Sequence, residues 1–432
     1  MFHVKHLFQK LKNIPLHEIF FLIFVFFLPT QARFILNNDQ AYIGSVFSYH
    51  KAIFVYGTDV LFLMFYVSYL WFIKAKPSKW LILAILAGAL SWFHVEQWNL
   101  YWFYMIKAVE FWLVVDYVKQ SSVSRATLFK VLIISGVGQA ILGIAQFHVQ
   151  HGFNIPLSGE YVPGAYETGA ATLAIGANKV LRAYGTFPHP NVLGGFLALI
   201  LAIILFVSRE TKSMKHNLML TIAGILILWG GTLTFSRSAW IAMAIAIFLW
   251  ILSLLYKKAL KQAIIISLLV IVSCGTLFLC YKTYLVPRAT DVSSDSQAVE
   301  YRSEFNNEGL QIFKTNPLLG AGLGQYIVKH EQLFHVEQWR HQPPHNILLF
   351  LLTQVGIIGV LLYIATYIKL GFTWNNLING LNIMFIAIIL ILGSLDHYLI
   401  SIQQGLLIFA IVCGLMIKKD VSQPVKHLNR ET

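Results

Sequence analysis

The sequence predicts an all-α membrane protein of about twelve transmembrane helices, and three observations predict it. Of 432 residues, 57% are hydrophobic and only 12% are charged, where a soluble domain carries about 25% charge. The apolar residues come in runs of roughly 18 or more, long enough to cross a bilayer as helices. The basic residues alternate, filling one connection and sparing the next. Mean hydropathy is +0.67, and the whole chain, 1–432, reads as one polytopic domain.

The runs place spans at 16–33, 52–73, 79–95, 100–118, 130–148, 191–208, 218–235, 238–256, 262–282, 345–368, 380–395 and 400–417. No small-residue cleavage site follows the first run, Ile19 to Leu28, so it reads as a retained helix and not as a signal peptide. Lys5, Lys10 and Lys12 precede the first span, and Lys74, Lys76 and Lys79 follow the second. Lys119, Arg125 and Lys130 follow the fourth, Arg209, Lys212 and Lys215 the sixth, and Lys257, Lys258 and Lys261 the eighth. Lys418, Lys419, Lys426 and Arg430 form the tail, and only the tenth connection is weak, with Lys369 alone. Positive charge marks cytoplasmic loops, so both termini read as cytoplasmic. The net charge of +13 is thus a topology signal and not a nucleic-acid footprint. The cysteines Cys274, Cys280 and Cys413 lack metal-ligand spacing and read as apolar filler.

Two connections on the far side are long, 149–190 and 283–344, and loops of that length are uncommon without a function. In the second, Tyr301, Phe305, Ile312 and Phe313 recur near helical spacing until Asn316-Pro317 stops the pattern, predicting an amphipathic helix on the membrane face.

The chemistry-bearing residues gather on that side. Arg182 sits in RAYGTFPHPNVLGG with Asn191 at the mouth of the sixth span, and Arg237 sits in TFSRSAW between the seventh and eighth. Arg302 opens the amphipathic helix. Each could be a snorkelling or solvated charge. Three on one side, each beside helix-breaking residues, favour a phosphate site, because the guanidinium fork matches phosphate oxygens and stays charged. His345 and Asn346 follow Pro343-Pro344 at a helix N-terminus, where a nearby imidazole tends to be neutral and can accept a proton from a hydroxyl; a simple cap is the plainer explanation. Gly320, Gly322 and Gly324 of GAGLGQY could form a backbone nest for phosphate. Lys107 and Glu110 share one face of the fourth span, as a structural ion pair or a functional one. Asp396, His397, Gln403 and Gln404 cluster before the last span.

GTFPHPNVLGGFLAL, TFSRSAWIAM, NPLLGAGLGQY and PPHNILLFLLTQVGIIG, in this order over about residues 180–365, resemble the O-antigen ligase and O-antigen polymerase superfamily. The resemblance implies a GT-C-like bacterial inner-membrane glycosyltransferase involved in lipopolysaccharide or other cell-surface polysaccharide synthesis. Such enzymes take glycan from undecaprenyl diphosphate on the outer leaflet and pass it, with no metal or other cofactor, to a glycan, lipid or protein acceptor. It implies that Arg182, Arg237 and Arg302 hold the diphosphate and that His345 activates the acceptor hydroxyl, with Arg302 also catalytic. Asn191, Asn346, Gly322, Lys107, Glu110 and Asp396 are the candidate supporting residues. The rival class is a polysaccharide or lipid-carrier transporter, or flippase. Transporters carry polar sites near the midplane of repeated halves, and here only Lys107 and Glu110 fit that description.

FHVEQW occurs twice, at Phe93–Trp98 and Phe334–Trp339, with FHVK at Phe2–Lys5 and FHVQ at Phe147–Gln150. Neighbouring residues do not repeat with them, as a structural repeat requires. A metal site using His94 or His335 is one reading. A better one lies in the DNA: TTC-CAC-GTG-GAA encodes FHVE and TTT-CAC-GTG-AAA encodes FHVK, and both are palindromes, similar to the sites bound by chromosome-partition proteins. The gene is expected to use these codons; sequencing that returns non-palindromic ones would remove the explanation.

Overall fold

A computed structural model describes residues 15–419, apart from 161, 168, 212 and 291 and the side chains of 262 and 292–298. Lys5, Lys10, Lys12, the FHVK string, Lys212, Lys426 and Arg430 lie outside the described residues. The chain is mostly helical. In order the helices are α1 Leu16–Phe27, α2 Gly57–Ile73, α3 Leu81–Leu90, α4 Trp98–Gln120, α5 Arg125–Val149, α6 Pro190–Glu210, α7 Met214–Leu233 and α8 Arg237–Tyr256. There follow α9 Leu260–Thr290, α10 Val292–Thr315, α11 Tyr326–Leu333, α12 Ile347–Lys369, α13 Trp374–Leu377, α14 Gly380–Leu395, α15 Tyr398–Ser401 and α16 Gln403–Ile417.

Every expected span coincides with a helix, but lengths differ. Among the described residues six helices are long and apolar enough to cross a membrane: α5, α6, α7, α8, α9 and α12. Shorter apolar helices accompany them, among them α1, α2, α14 and α16. With 12 residues, α1 rises only about 18 Å. Helix α4 has 23 residues, and its internal charges, Lys107, Glu110 and Asp116, lower its apolar character.

Few strands accompany the helices, in keeping with the all-α expectation. Three short antiparallel ladders are present: β1 Arg33–Ile35 with β4 Phe54–Tyr56, β2 Tyr42–Ile43 with β3 Val46–Phe47, and β5 Thr172–Ile175 with β6 Asn178–Leu181. The spans drawn at 16–33 and 52–73 therefore end and begin too far out, and 28–56 is a third substantial connection. Its apolar residues do not continue the helices; Ala41, Ala52, Phe54 and Tyr56 close into a small cluster of their own. Summed hydropathy cannot separate such strand residues from a helix end.

Helix α6 is the central post. Apolar on all sides, it is buried from Val192 through Leu205, and α5, α7, α8 and α14 pack around it. A helix apolar all round belongs inside a bundle. The basic connections converge at the end remote from the long loops. There Lys418 Nζ donates to Val118 O (2.9 Å) and Ser121 O (2.6 Å), and Arg125 Nη2 donates to Leu415 O (2.9 Å).

At the loop-rich end α10 stops at Thr315, as the Asn316-Pro317 signal predicts, and the glycine run that follows wedges into α12. Helix α12 is broken at Gly356, whose φ of 65° and ψ of −174° are not helical. The break frees backbone groups that the wedge satisfies. Ala321 N donates to Thr353 O (2.8 Å) and Gly322 N to Gln354 O (3.0 Å), while Ile357 N and Ile358 N donate to Pro317 O (2.9 Å) and Leu318 O (3.1 Å). Irregular backbone at such depth persists only where protein supplies its partners. Gly320, with φ of 74°, abuts the same break, and a Cβ there would lie 2.5 Å from Gln354 O. Gly356→Val is expected to cost at least about 1–3 kcal/mol, from positive φ alone, read as a lower thermal midpoint of the detergent-solubilised protein. An unchanged midpoint would show that the break is not structurally required.

Candidate functional site

The loop-rich end carries a chain of polar contacts that joins residues remote in sequence. Arg182 follows β6 and is buried. Its Nε donates to Thr234 O (2.6 Å) and its Nη2 to Asn191 Oδ1 (2.8 Å). Asn191 lies in the first turn of α6, where His189 is the N-cap and its Nδ1 accepts from Asn191 N (3.1 Å). Asn191 Nδ2 in turn donates to Asp396 Oδ2 (3.3 Å). Asp396 Oδ1 lies 3.7 Å from His345 Nδ1, close but longer than a hydrogen bond. Arg182, Asn191, Asp396 and His345 thus form one connected set.

The other arginines surround it. Arg237 is the first residue of α8, at the positive end of a helix dipole, an unfavourable place for a cation without an anion nearby. Arg288, at the end of α9, donates from Nε to Phe235 O (3.2 Å). Arg302 on α10 acts electrostatically on Arg182, His189 and His345. One turn further along α10, Phe305 stacks on the His345 ring at 5.9 Å. The turn between α7 and α8 supplies both carbonyls: Phe235 has φ of 48°, so Thr234 and Phe235 turn their C=O groups outward from the helix axis toward the two guanidinium groups.

This crowding of cations shows in the protonation equilibria. Burial first, then the charges of Arg288, Arg237 and Arg302, push Arg182 down to about 9, against an opposing effect of Tyr184. Arg182 is still charged at neutral pH. Burial, then the charge of Arg182, pushes His189 down to about 3. For His345 burial lowers the pKa, Asp396 opposes and Arg302 reinforces. A site that disfavours its own cations gains stability when an anion enters.

A file of imidazoles leads away from His345. The His345 and His397 rings are 5.2 Å apart, and those of His397 and His50 are 5.5 Å apart. Burial holds His50 down at about 4 and His397 well below the usual histidine range. His397 Nδ1 is 2.7 Å from Ser401 Oγ. His345, Asp396 and His397 each offer one donor atom within 4.8 Å of the others, a spacing at which a cation could be held.

The remaining sequence candidates fall elsewhere. Gly322 gives its amide to Gln354 O (3.0 Å) and Gly324 to Gln354 Oε1 (2.8 Å), so these N–H groups are not open to an anion as a phosphate nest requires. Asn346 caps α12, accepting from Leu349 N (3.0 Å). Lys107 is joined by two carboxylates, Asp59 (2.5 Å) and Glu110 (3.1 Å), and Gln403 Nε2 donates to Asp59 (2.6 Å). No described contact links that cluster to Arg182 or His345. The two FHVEQW copies differ in backbone and partners: Glu96 pairs with Lys329 and Gln332, whereas Gln338 accepts from Ser45. Neither His94 nor His335 belongs to the three-residue donor group above.

Sequence reasoning did not single out Arg288, His189 and His50. His189 stood inside the quoted PHPN motif and Arg288 beside Pro287; their neighbours were the only signal. Nothing local marked His50, which a separate connection brings in.

A helical bundle with six helices apolar enough to cross a membrane defines a multi-pass membrane protein, and its loop-rich end gathers one buried and three half-buried arginines around a histidine. Residues 222–364 match the family described as O-antigen ligase, a match that supports a relation to the O-antigen ligase superfamily and to membrane enzymes that transfer glycan. The match takes in Arg237, Arg302 and His345; Arg182, Asn191 and Asp396 lie outside it. No curated protein and no solved structure matches the chain.

His50, His189, His345 and His397 are all held below the ordinary value of 6.5. Unfolded, they bind more protons than folded, so their stabilisation is complete above pH 6.5 and is lost as pH falls toward the folded values. The thermal midpoint is expected to decline from about pH 6.5 toward pH 4, with a smaller decline in His50→Gln. A midpoint flat across that window would contradict the burial of neutral imidazoles.

Proposed function

We propose that the chain is an inverting, metal-independent glycosyltransferase that moves glycan from an undecaprenyl-diphosphate carrier to an acceptor hydroxyl on the outer face of the cytoplasmic membrane. The observation that carries this reading is the buried Arg182 among three further arginines, connected through Asn191 and Asp396 to His345. The superfamily implies a lipid-linked glycan and an acceptor, and the arginines suit a diphosphate.

In this reading the acceptor O–H gives its proton to His345 Nε2, while Nδ1–H points at Asp396, which stabilises the imidazolium that forms. The acceptor oxygen forms a bond to the anomeric carbon on the face opposite the leaving group. The bond from that carbon to the diphosphate oxygen breaks, and its electron pair leaves with the diphosphate. Arg302, with Arg182, Arg237 and Arg288, stabilises the charge that develops, the part otherwise played by a metal. The anomeric centre inverts.

Twelve helices serve as spans in this proposal: α1 to α9, α12, α14 and α16, in a GT-C-like arrangement. The clustering of basic connections at one end supports a cytoplasmic position for that end and for both termini, leaving the arginines and His345 facing outward. Polymerase, ligase and protein-transfer activities share this chemistry and differ in acceptor.

A second reading rests on the Asp59–Lys107–Glu110 cluster, since intramembrane charges often serve transport: movement of a lipid carrier across the bilayer. One assay separates the two. Purified protein in lipid, given an undecaprenyl-diphosphate oligosaccharide, a panel of acceptors and EDTA, is expected to release undecaprenyl diphosphate coupled to an extended product. Carrier movement without release would instead support transport. Loss of transfer in EDTA, restored by zinc, would assign His345, Asp396 and His397 to a metal. His345→Ala and Arg302→Ala are each expected to lower transfer by about 10²–10³-fold, roughly 2.7–4 kcal/mol for a lost transition-state donor, with membrane insertion intact. Normal transfer by His345→Ala would remove the base assignment.

A further inference from the structure

A second feature of the loop-rich end lies beyond the arginines and His345. A groove of ≈ 710 Å³ runs between the first connection and the start of α4, lined by Gln40, Tyr42, Lys51, Glu96, Trp98 and Asn99 among others. The volume is in the range of sites for small organic ligands.

The chemistry of the lining is selective. Its two charged groups are already paired within the protein: Lys51 with Glu331 (3.0 Å) and Glu96 with Lys329. These pairs tie both walls to α11, so the groove is built before any ligand arrives, which lowers the ordering cost of binding. Besides the paired Glu96, whose side chain is 37% exposed, neutral groups face solvent. Trp98 and Tyr42 are 46% and 40% exposed, and the T-shaped contacts of Trp98 with Trp92 and Tyr101 and of Tyr42 with Phe47 help to fix their rings. Beside them stand the amides of Gln40 and Asn99, which meet at 2.7 Å (Asn99 Nδ2 to Gln40 Oε1) and retain further donor and acceptor capacity. Flat apolar rings flanked by neutral amides complement a sugar ring, which has an apolar C–H face and a rim of hydroxyls. With both charges paired, the lining does not single out an ionic headgroup or an acidic peptide.

Position fixes the role. Lys51 follows His50, whose ring leads through His397 to His345. The arginines reach His345 from the other direction, through Asn191 and Asp396. Groove and arginines are therefore joined to the histidine through different residues.

We propose that this groove binds neutral sugar rings of the acceptor glycan and directs the terminal hydroxyl toward His345. This rests on the transferase reading above. It assigns Trp98 and Tyr42 as stacking platforms and Gln40 and Asn99 as hydroxyl partners, and it gives one FHVEQW copy a role through its last residue. A glycan chain is accordingly the acceptor, whether growing or anchored.

The test uses full-length protein in lipid nanodiscs with two readouts. Saturation-transfer NMR with oligosaccharide released by mild acid from the host's own surface polysaccharide reads binding without any transfer. Steady-state transfer reads acceptor and donor dependence separately. Trp98→Ala is expected to abolish the NMR signal and raise the acceptor KM by about tenfold, the loss of one aromatic stacking contact, with donor KM and kcat unchanged. Trp98→Phe is expected to retain binding. Should Trp98→Ala fail to fold, Gln40→Ala and Asn99→Ala, both exposed, make the same comparison. Equal signal in wild type and variants, or none in the wild type, would overturn the groove assignment. A wild type that binds the oligosaccharide yet transfers nothing with any donor would sink the transferase reading while leaving the sugar groove standing.

Discussion

A buried guanidinium is tolerated only where its donors meet fixed acceptors, because an unpaired charge out of water costs several kcal/mol. Arg182 meets that condition twice, at Thr234 O and at Asn191 Oδ1. Much of the loop-rich end follows from those two contacts. The α7–α8 turn must expose its carbonyls, and Phe235 takes a positive φ to do so. The mouth of α6 must bring Asn191 up to Arg182, and His189 as N-cap fixes that first turn. Asn191 then reaches Asp396, which stands beside His345.

Helix interruptions recur where the site is built. Helix α12 breaks at Gly356, α15 gives way to α16 at Ile402, and α7 turns into α8 at Thr234–Ser236. Each break releases backbone groups in a bundle whose helices otherwise satisfy their own. At α12 the glycine run takes them up; at the α7–α8 turn the arginines do. The same glycines that suggested an anion nest are therefore occupied in holding the break. Glycine suits both uses for the same reason, positive φ and close backbone approach, so composition alone did not separate them.

The groove beside α4 and the arginine cluster differ in how they handle charge. Lys51 and Glu96 are neutralised by partners on α11, whereas Arg182 and Arg302 repel one another. In the proposed reaction the first region takes neutral hydroxyls and the second the anion. A reaction joining a sugar hydroxyl to a diphosphate-activated carbon needs that pairing of environments.

Sequence alone determined the membrane class, the placement of the helices and the sidedness expectation, because burial in lipid demands long apolar runs and charge asymmetry follows topology. It also singled out Arg182, Arg237, Arg302 and His345, since charge beside helix breakers at one end is costly unless used. Hydropathy overran the start of the second span because the strand residues around Phe54 are as apolar as a helix end. Only the tertiary structure decided that Asn191 and Asp396 join Arg182 to His345, and that His50 and Arg288 stand close by. Those contacts span from nine to more than two hundred residues of chain, and no local periodicity encodes which helix mouths meet; packing around α6 does.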